Sequence, residues 1–478
     1  MIDYTGTYTD QYQLAMAQAY FVEGRKDEVA VFDYFFRKLP FDGGYAVFAG
    51  LKDLLDALEN LRFDDKDIAF LRDQGMDAAF LDYLQDFKFT GTVSSTREGD
   101  VVFPILPVVT VEAPIIEAQI VETLLLNILN YPTLIATKAS RMCLAAVGND
   151  AQNISTLVDF GLRRSPGLGG YSASRACVIG GFDATSNVRA ARDYGLTPSG
   201  TMAHSFIQSY DNELTAFRAF AAAHPDNTVL LVDTYDTLKS GVPNAVTVGK
   251  EMEERGQSLK GIRLDSGDLA WLSRQARKML DNAGLQDVKI AASNQLDEHV
   301  IKSLREQGAP IDLYGVGTAL VTGRPDGALD GVYKLAEAGG KPRIKLSETR
   351  EKITLPSKKQ VYRVFDSQNN FFGADVASLE DEDAAEISHM HHPSDPHKSL
   401  AIGGYKKEPL LNIVMKDGKR MIEPQKLTDI KDYSRKRLAL LPAEYKRFDN
   451  PHIYKTGLSD QLKKHRDKLI ADHKAEAT

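Results

Sequence analysis

Apolar and polar residues alternate along this chain in two rhythms, and the change falls near Thr156. Ahead of it, Leu14, Ala17 and Phe21 recur on one face behind a Thr9–Asp10 cap, which predicts an N-terminal helix. Val29–Phe36, Phe87–Val93 and Val101–Pro104 read as strands, and Leu51–Leu61 as a helix. Ile116, Ile120, Leu124 and Ile128 then fall at four-residue steps, the stripe of a strongly amphipathic helix. This is α+β patterning.

Beyond Thr156, short apolar runs alternate with helical stretches. The runs are 156–161, 177–183, 228–233, 260–265, 288–293 and 312–317. Helices are expected over Ala245–Arg255, Leu269–Ala283 and Leu296–Gln307. The late strand ends Asp233, Asp265, Ser293 and Gly315 follow one another at 32, 28 and 22 residues, the rhythm of βα units. Polar and glycine residues cluster where these strands finish, which favours a parallel barrel over a doubly wound open sheet. After Gly331 the chain turns strand-rich again in VYKLAE, PRIKLSE and KQVYRVFD, with period-two alternation over Arg343–Leu346. This could complete a sheet begun by the N-terminal strands. The tail from Gln461 to Lys474 patterns as a charged surface helix.

Length and charge narrow the function classes. A chain of 478 residues predicts more than one domain. The formal net charge of −8 argues against a nucleic-acid binder, while leaving room for anionic ligands held by a few Arg, Lys and backbone N–H groups. The two cysteines, Cys143 and Cys177, make no CxxC and no zinc spacing, and read as reduced thiols. The N-terminus lacks the pattern of a signal peptide, and Pro104, Pro107, Pro114, Glu112, Glu117 and Glu122 interrupt the most apolar stretch, Val101–Leu129. A cytoplasmic protein that does not enter a membrane is expected.

The strand ends carry the candidate chemistry. In DFGLRRSPG (159–167), Arg163 and Arg164 offer guanidinium forks for carboxylate or phosphate, and Phe160 a ring face for a flat ligand. GGFDATSNV (180–188) combines paired glycines with Asp183, Ser186 and Asn187, all able to cap a helix. His204 in SGTMAHSF is a candidate base, metal ligand or nucleophile; no second histidine lies near it, which argues against zinc. Asp233 and Asp236 suggest Mg²⁺ or a partner for His204. Arg263 and Asp265 alternate along a strand and so point the same way. Gly315, Gly317 and Thr318 follow a late strand and read as an anion cradle.

Taken together, YTDQYQLAMAQAYF (8–21), FDYFFRKLP (32–40), DFGLRRSPG, GGFDATSNV, GTMAHSF, RLDSGD, YGVGT and GVYKL (331–335) resemble the nicotinate phosphoribosyltransferase family. The resemblance runs from about residue 4 to about residue 356; nothing is carried over beyond Leu355. It implies an irregular, TIM-like α/β barrel over 131–330, and an α+β domain built discontinuously from 1–130 and 331–478. The implied reaction joins nicotinate to phosphoribosyl diphosphate, giving nicotinate mononucleotide and diphosphate in NAD salvage. ATP is the co-substrate and Mg²⁺ the cofactor. The motifs imply a transient phosphohistidine at His204, with Asp233 orienting it and Asp265 completing the catalytic set. Phe160, Arg163, Thr201 and Arg263 would bind substrate, with Thr201 and Arg263 at the nicotinate. Gly315, Gly317 and Thr318 would take the ribose 5-phosphate. Tyr12 would be donated by the other subunit of a homodimer, forming an aromatic sandwich with Phe160. Nicotinamide is the alternative substrate; a second acid would favour it, and Asp183 is the candidate. A non-catalytic barrel is the alternative of another class.

Overall fold

The computed structural model describes residues 4–147, 155–346 and 354–476, in two compact units. One comprises the chain up to Leu134 together with everything from Ala328 onward; the other spans Ile135–Gly327.

The discontinuous unit is α+β. Its seven-stranded antiparallel sheet runs, edge to edge, through Lys341–Pro342, Gly331–Ala338, Val29–Phe36, Val109–Pro114, Thr92–Ser95, Asn412–Lys416 and Lys419–Arg420. Val29–Phe36 is buried on both faces, so it reads as an almost unbroken apolar run. Its one acid, Asp33, is paired with the Lys359 ammonium at 2.8 Å and accepts from Thr110. Gly331–Ala338 pairs beside Val29–Phe36, so the late chain does complete the early sheet. KQVYRVFD does not join it. Lys359–Phe365 lies in a separate six-stranded sheet with Phe371–Leu379, Lys455–Leu458 and Lys406–Pro409. Residues 343–346 form no strand despite their alternation, and the end of PRIKLSE lies outside the described residues. The expected strand over Phe87–Val93 begins later, at Thr92–Ser95, because Phe87 and Phe89 are buried as core side chains of a loop.

The second unit holds six parallel strands: Thr156–Asp159, Ala184–Thr185, Val229–Leu231, Gly261–Leu264, Lys289–Ser293 and Leu313–Val316. Numbered along the chain, they lie in the order 2-1-6-5-4-3. Each strand from the third to the sixth neighbours its successor, and the sixth lies beside the first. That cyclic order belongs to a barrel; a doubly wound sheet would reverse direction at a switch point. Among the described residues the ladder is open between the second and third strands, which makes the barrel irregular. The expected strand over 177–183 is corrected: Gly169–Ile179 is a helix and the strand is only Ala184–Thr185. Ala173 to Ile179 is buried throughout, and its apolar end Cys177–Ile179 is too short for periodicity to separate helix from strand.

The helix begun by the Ile116 stripe extends over Ile115–Val147 and runs through Pro132. It is long and apolar enough to cross a membrane by length and composition alone. However, 72% of its most apolar window is buried inside the protein, so packing accounts for its composition.

Candidate active site

The C-terminal ends of the parallel strands converge on Arg263. It leaves the strand Gly261–Leu264 with its side chain only 12% exposed and its donors committed. Nε donates to Ser293 Oγ at 2.8 Å, Nη1 to Thr201 Oγ1 at 3.1 Å and Met202 O at 3.4 Å, and Nη2 to Asp265 Oδ1 at 2.9 Å. The guanidinium carbon lies 5.4 Å from the centre of the Phe160 ring, within cation–π range. Burial pushes the Asp265 carboxyl up, but the Ser293 hydroxyl, Arg263 and His204 outweigh it and hold it below the usual carboxylate range.

His204 opens a five-residue helix, His204–Gln208, with its side chain 40% exposed. Nδ1 meets the Thr234 hydroxyl at 3.1 Å, and Nε2 lies 3.8 Å from Asp265 Oδ2. The acid facing His204 is therefore Asp265, not Asp233 as expected. Asp233 Oδ2 instead accepts from the Asp265 backbone N–H at 2.9 Å and the Ser266 hydroxyl at 2.6 Å, fixing the next loop; its Oδ1 is buried with no hydrogen-bond partner among the described residues. Nor do Asp233 and Asp236 act as a pair, because Asp236 caps its own turn through Leu238 N and Lys239 N.

Phe160 is placed from behind. Asp159 is fully buried at the end of the first strand. Its Oδ1 accepts from Gly161 N at 2.7 Å, and its Oδ2 from Ser174 and Thr185 at 2.8 and 2.7 Å. Burial raises its carboxyl above the ordinary range against the pull of those three donors. Phe160 N donates across to Val316 O at 2.7 Å, and the ring covers Gly315.

The structure thus brings Phe160, Thr201, His204, Asp233, Arg263, Asp265 and Gly315 together. Gly317 and Thr318 begin the four-residue helix Thr318–Val321, with Thr318 exposed. Arg163 is exposed on the short turn Leu162–Arg164. Tyr12 belongs to the other unit, on the helix Gln11–Val22, 50% exposed. That helix lacks the expected side-chain cap; Asp10 bonds Thr123 on the long helix instead. Asn187 and Asp268 do cap their helices. Asp183 bonds both backbone groups of Leu157, near the start of the first strand rather than at the end carrying Phe160. It is therefore poorly placed as the acid of an amide site. Ser293 and Thr234 are contacts that sequence reasoning missed; their only signal is a hydroxyl at a strand end.

Comparison with known proteins matches this arrangement along the whole chain. Family models describe residues 7–130 as a nicotinate phosphoribosyltransferase N-terminal domain, 155–369 as the nicotinate phosphoribosyltransferase family and 358–466 as its C-terminal domain. A nicotinate phosphoribosyltransferase of Bacillus subtilis is 43% identical over 466 residues, 96% of this chain and 94% of that one.

The chain belongs to the nicotinate phosphoribosyltransferase family.

The family match extends beyond Leu355, past the last of the sequence motifs, through residues 358–466. A relative of the same name from Caenorhabditis elegans is 36% identical, covering 95% of this chain and 91% of its own. The crystal structure of human nicotinic acid phosphoribosyltransferase superposes with a TM-score of 0.86 at 30% identity, over 96% of this chain and 99% of that one. At 23% identity, a nicotinate-nucleotide pyrophosphorylase of Pyrococcus furiosus shares the fold, with a TM-score of 0.71 and coverage of 91% and 95%. The chain is an enzyme of this family, with the barrel architecture its strand rhythm predicted.

Proposed function

We propose that this enzyme transfers the phosphoribosyl group of phosphoribosyl diphosphate to nicotinate, coupled to ATP hydrolysis, as a step of NAD salvage. The observation that carries the reading is Arg263 beside Phe160, with Thr201 on its Nη1 edge. A flat anionic ring calls for an aromatic face, a cation and a hydroxyl. The nicotinate ring nitrogen attacks the anomeric carbon as the bond to diphosphate breaks. Holding both reactants in line supplies much of the rate. Gly315, Gly317 and Thr318 would receive the ribose 5-phosphate on backbone N–H groups, and Arg163 is available to an anionic group at the rim.

ATP coupling would run through His204. Its ring bonds to phosphorus as the γ-phosphoryl bond to ADP breaks, and water later releases phosphate. Thr234 on one nitrogen and Asp265 near the other support that role by fixing the ring plane. Among the described residues no cluster of three or more His, Cys, Asp or Glu could hold a metal. Mg²⁺ would be carried by substrate phosphates and water, where it would neutralise departing diphosphate charge.

The working form would be a cytoplasmic homodimer in which Tyr12 reaches the ring site of the second subunit. The exposure of Tyr12 supports this. The test is product formation from phosphoribosyl diphosphate with nicotinate or nicotinamide, with and without ATP. Nicotinate mononucleotide formation stimulated by ATP is expected; no product under any condition would falsify the reading. Sedimentation at assay concentration should give a dimer, and a fully active monomer would remove Tyr12 from the site.

A further inference from the structure

We infer that Ser293 is a positioning residue whose single hydroxyl sets the orientation of both Arg263 and Asp265. The inference rests on the transferase reading for its consequence, but not for its geometry. Ser293 ends the strand Lys289–Ser293 and is 3% exposed. Its Oγ receives Arg263 Nε at 2.8 Å and makes a short contact with Asp265 Oδ1. The chemistry fixes the roles: a guanidinium can only donate and a carboxylate only accept, so the hydroxyl accepts from one and donates to the other. A side chain lacking either capacity cannot replace it.

Two consequences follow at the site. Asp265 Oδ1 is occupied by Ser293 and by Arg263 Nη2, which leaves Oδ2 as the oxygen facing His204. Arg263 is held at Nε, which turns its Nη1 edge to Thr201 and its face to Phe160. The backbone holds Ser293 in turn. Its register partner across the parallel ladder is Gly315, the residue under Phe160. Immediately after it, Asn294 and Gln295 both adopt positive φ, 80° and 48°, turning the chain toward the helix Glu298–Glu306. Consecutive non-glycine residues rarely take that conformation, so the strand end is specified closely.

The test compares Ser293→Ala with Ser293→Thr. Deleting the hydroxyl should lower kcat/KM for nicotinate about ten- to hundredfold, the scale of a lost hydrogen bond to charged groups, with most of the change in the nicotinate KM. Ser293→Thr keeps both hydrogen-bonding roles and should recover to within about threefold of the native enzyme. Crystals of Ser293→Ala should show Arg263 and Asp265 displaced or in more than one rotamer. Unchanged kinetics with unchanged side chains would overturn the proposal. So would a folded Ser293→Thr as impaired as Ser293→Ala, which would point to packing. If the native protein makes no product from nicotinate, the transferase reading fails alone, and the crystal comparison still decides the role of Ser293.

Discussion

Phe160 lies so close over Gly315 that a Cβ on the glycine would stand 2.4 Å from ring atom Cε2 and 2.5 Å from Cδ2. Gly315→Ala must therefore move the ring or the strand. Overpacking of this kind costs about 1–3 kcal/mol. Because the contacting atoms belong to the Phe160 side chain, the shift should appear at the site proposed for nicotinate. We expect a rise of about tenfold in nicotinate KM with a smaller change in the KM for phosphoribosyl diphosphate, measured by steady-state kinetics. Equal effects on both would mean that the ring does not face nicotinate.

His204 and Thr234 meet at 3.1 Å, which separates chemistry from orientation. His204→Ala should abolish stimulation by ATP while slow, uncoupled transfer persists. Thr234→Val removes the hydroxyl at similar shape, and should weaken ATP stimulation by about tenfold with ATP-free transfer unchanged. Rates with and without ATP check both. A His204→Ala enzyme with undiminished ATP dependence would place the phosphoryl acceptor elsewhere.

The barrel was legible because its strands are short, apolar and finished by polar residues at βα spacing. Periodicity failed where burial is complete. The apolar end of the helix Gly169–Ile179 and the loop holding Phe87 and Phe89 are buried as a core strand would be. The residue types of the site were legible too, since an Arg and an Asp on one side of a strand end have little reason to be core. Pairing was not. Asp233 and Asp265 are 32 residues apart and identical as residue types; only the register of parallel strands decides which faces His204. Ser293 is invisible for the same reason, because its partners Arg263 and Asp265 lie on a different strand end, 30 and 28 residues away.

Arg263 illustrates why residue type alone understates a site. Its Nε, Nη1 and Nη2 are all engaged, with partners on three segments. Lysine keeps the charge but has no planar fork to satisfy Ser293, Thr201 and Asp265 together. Arg263→Lys should therefore lower kcat/KM for nicotinate by about a hundredfold or more, despite retained charge. Thermal unfolding run alongside separates this from loss of fold. A lysine enzyme within a few-fold of native would show that charge alone suffices.

A last prediction concerns stability in the discontinuous unit, where Arg363 is fully buried between two acids. It reaches Asp100 Oδ1 at 2.7 Å and Asp375 Oδ2 at 2.9 Å, and Arg437 also donates to Asp100 at 2.9 Å. Replacing Arg363 by Met fills similar volume but strips both carboxylates of a cation, and breaking such a buried pair costs about 3–5 kcal/mol. The pH dependence has a definite sign. Burial pushes the Asp100 carboxyl up, but Arg363 and Arg437 outweigh it and hold it below its ordinary value. A depressed acid contributes stability that is complete above its unfolded pKa, near ~3.9, and is lost as pH falls through the folded value. The difference between native and Arg363→Met should therefore be largest near neutrality and shrink once Asp100 protonates in acid. Urea unfolding at a series of pH values measures it. A difference that grew on acidification would mean that the cluster does not hold Asp100 ionised.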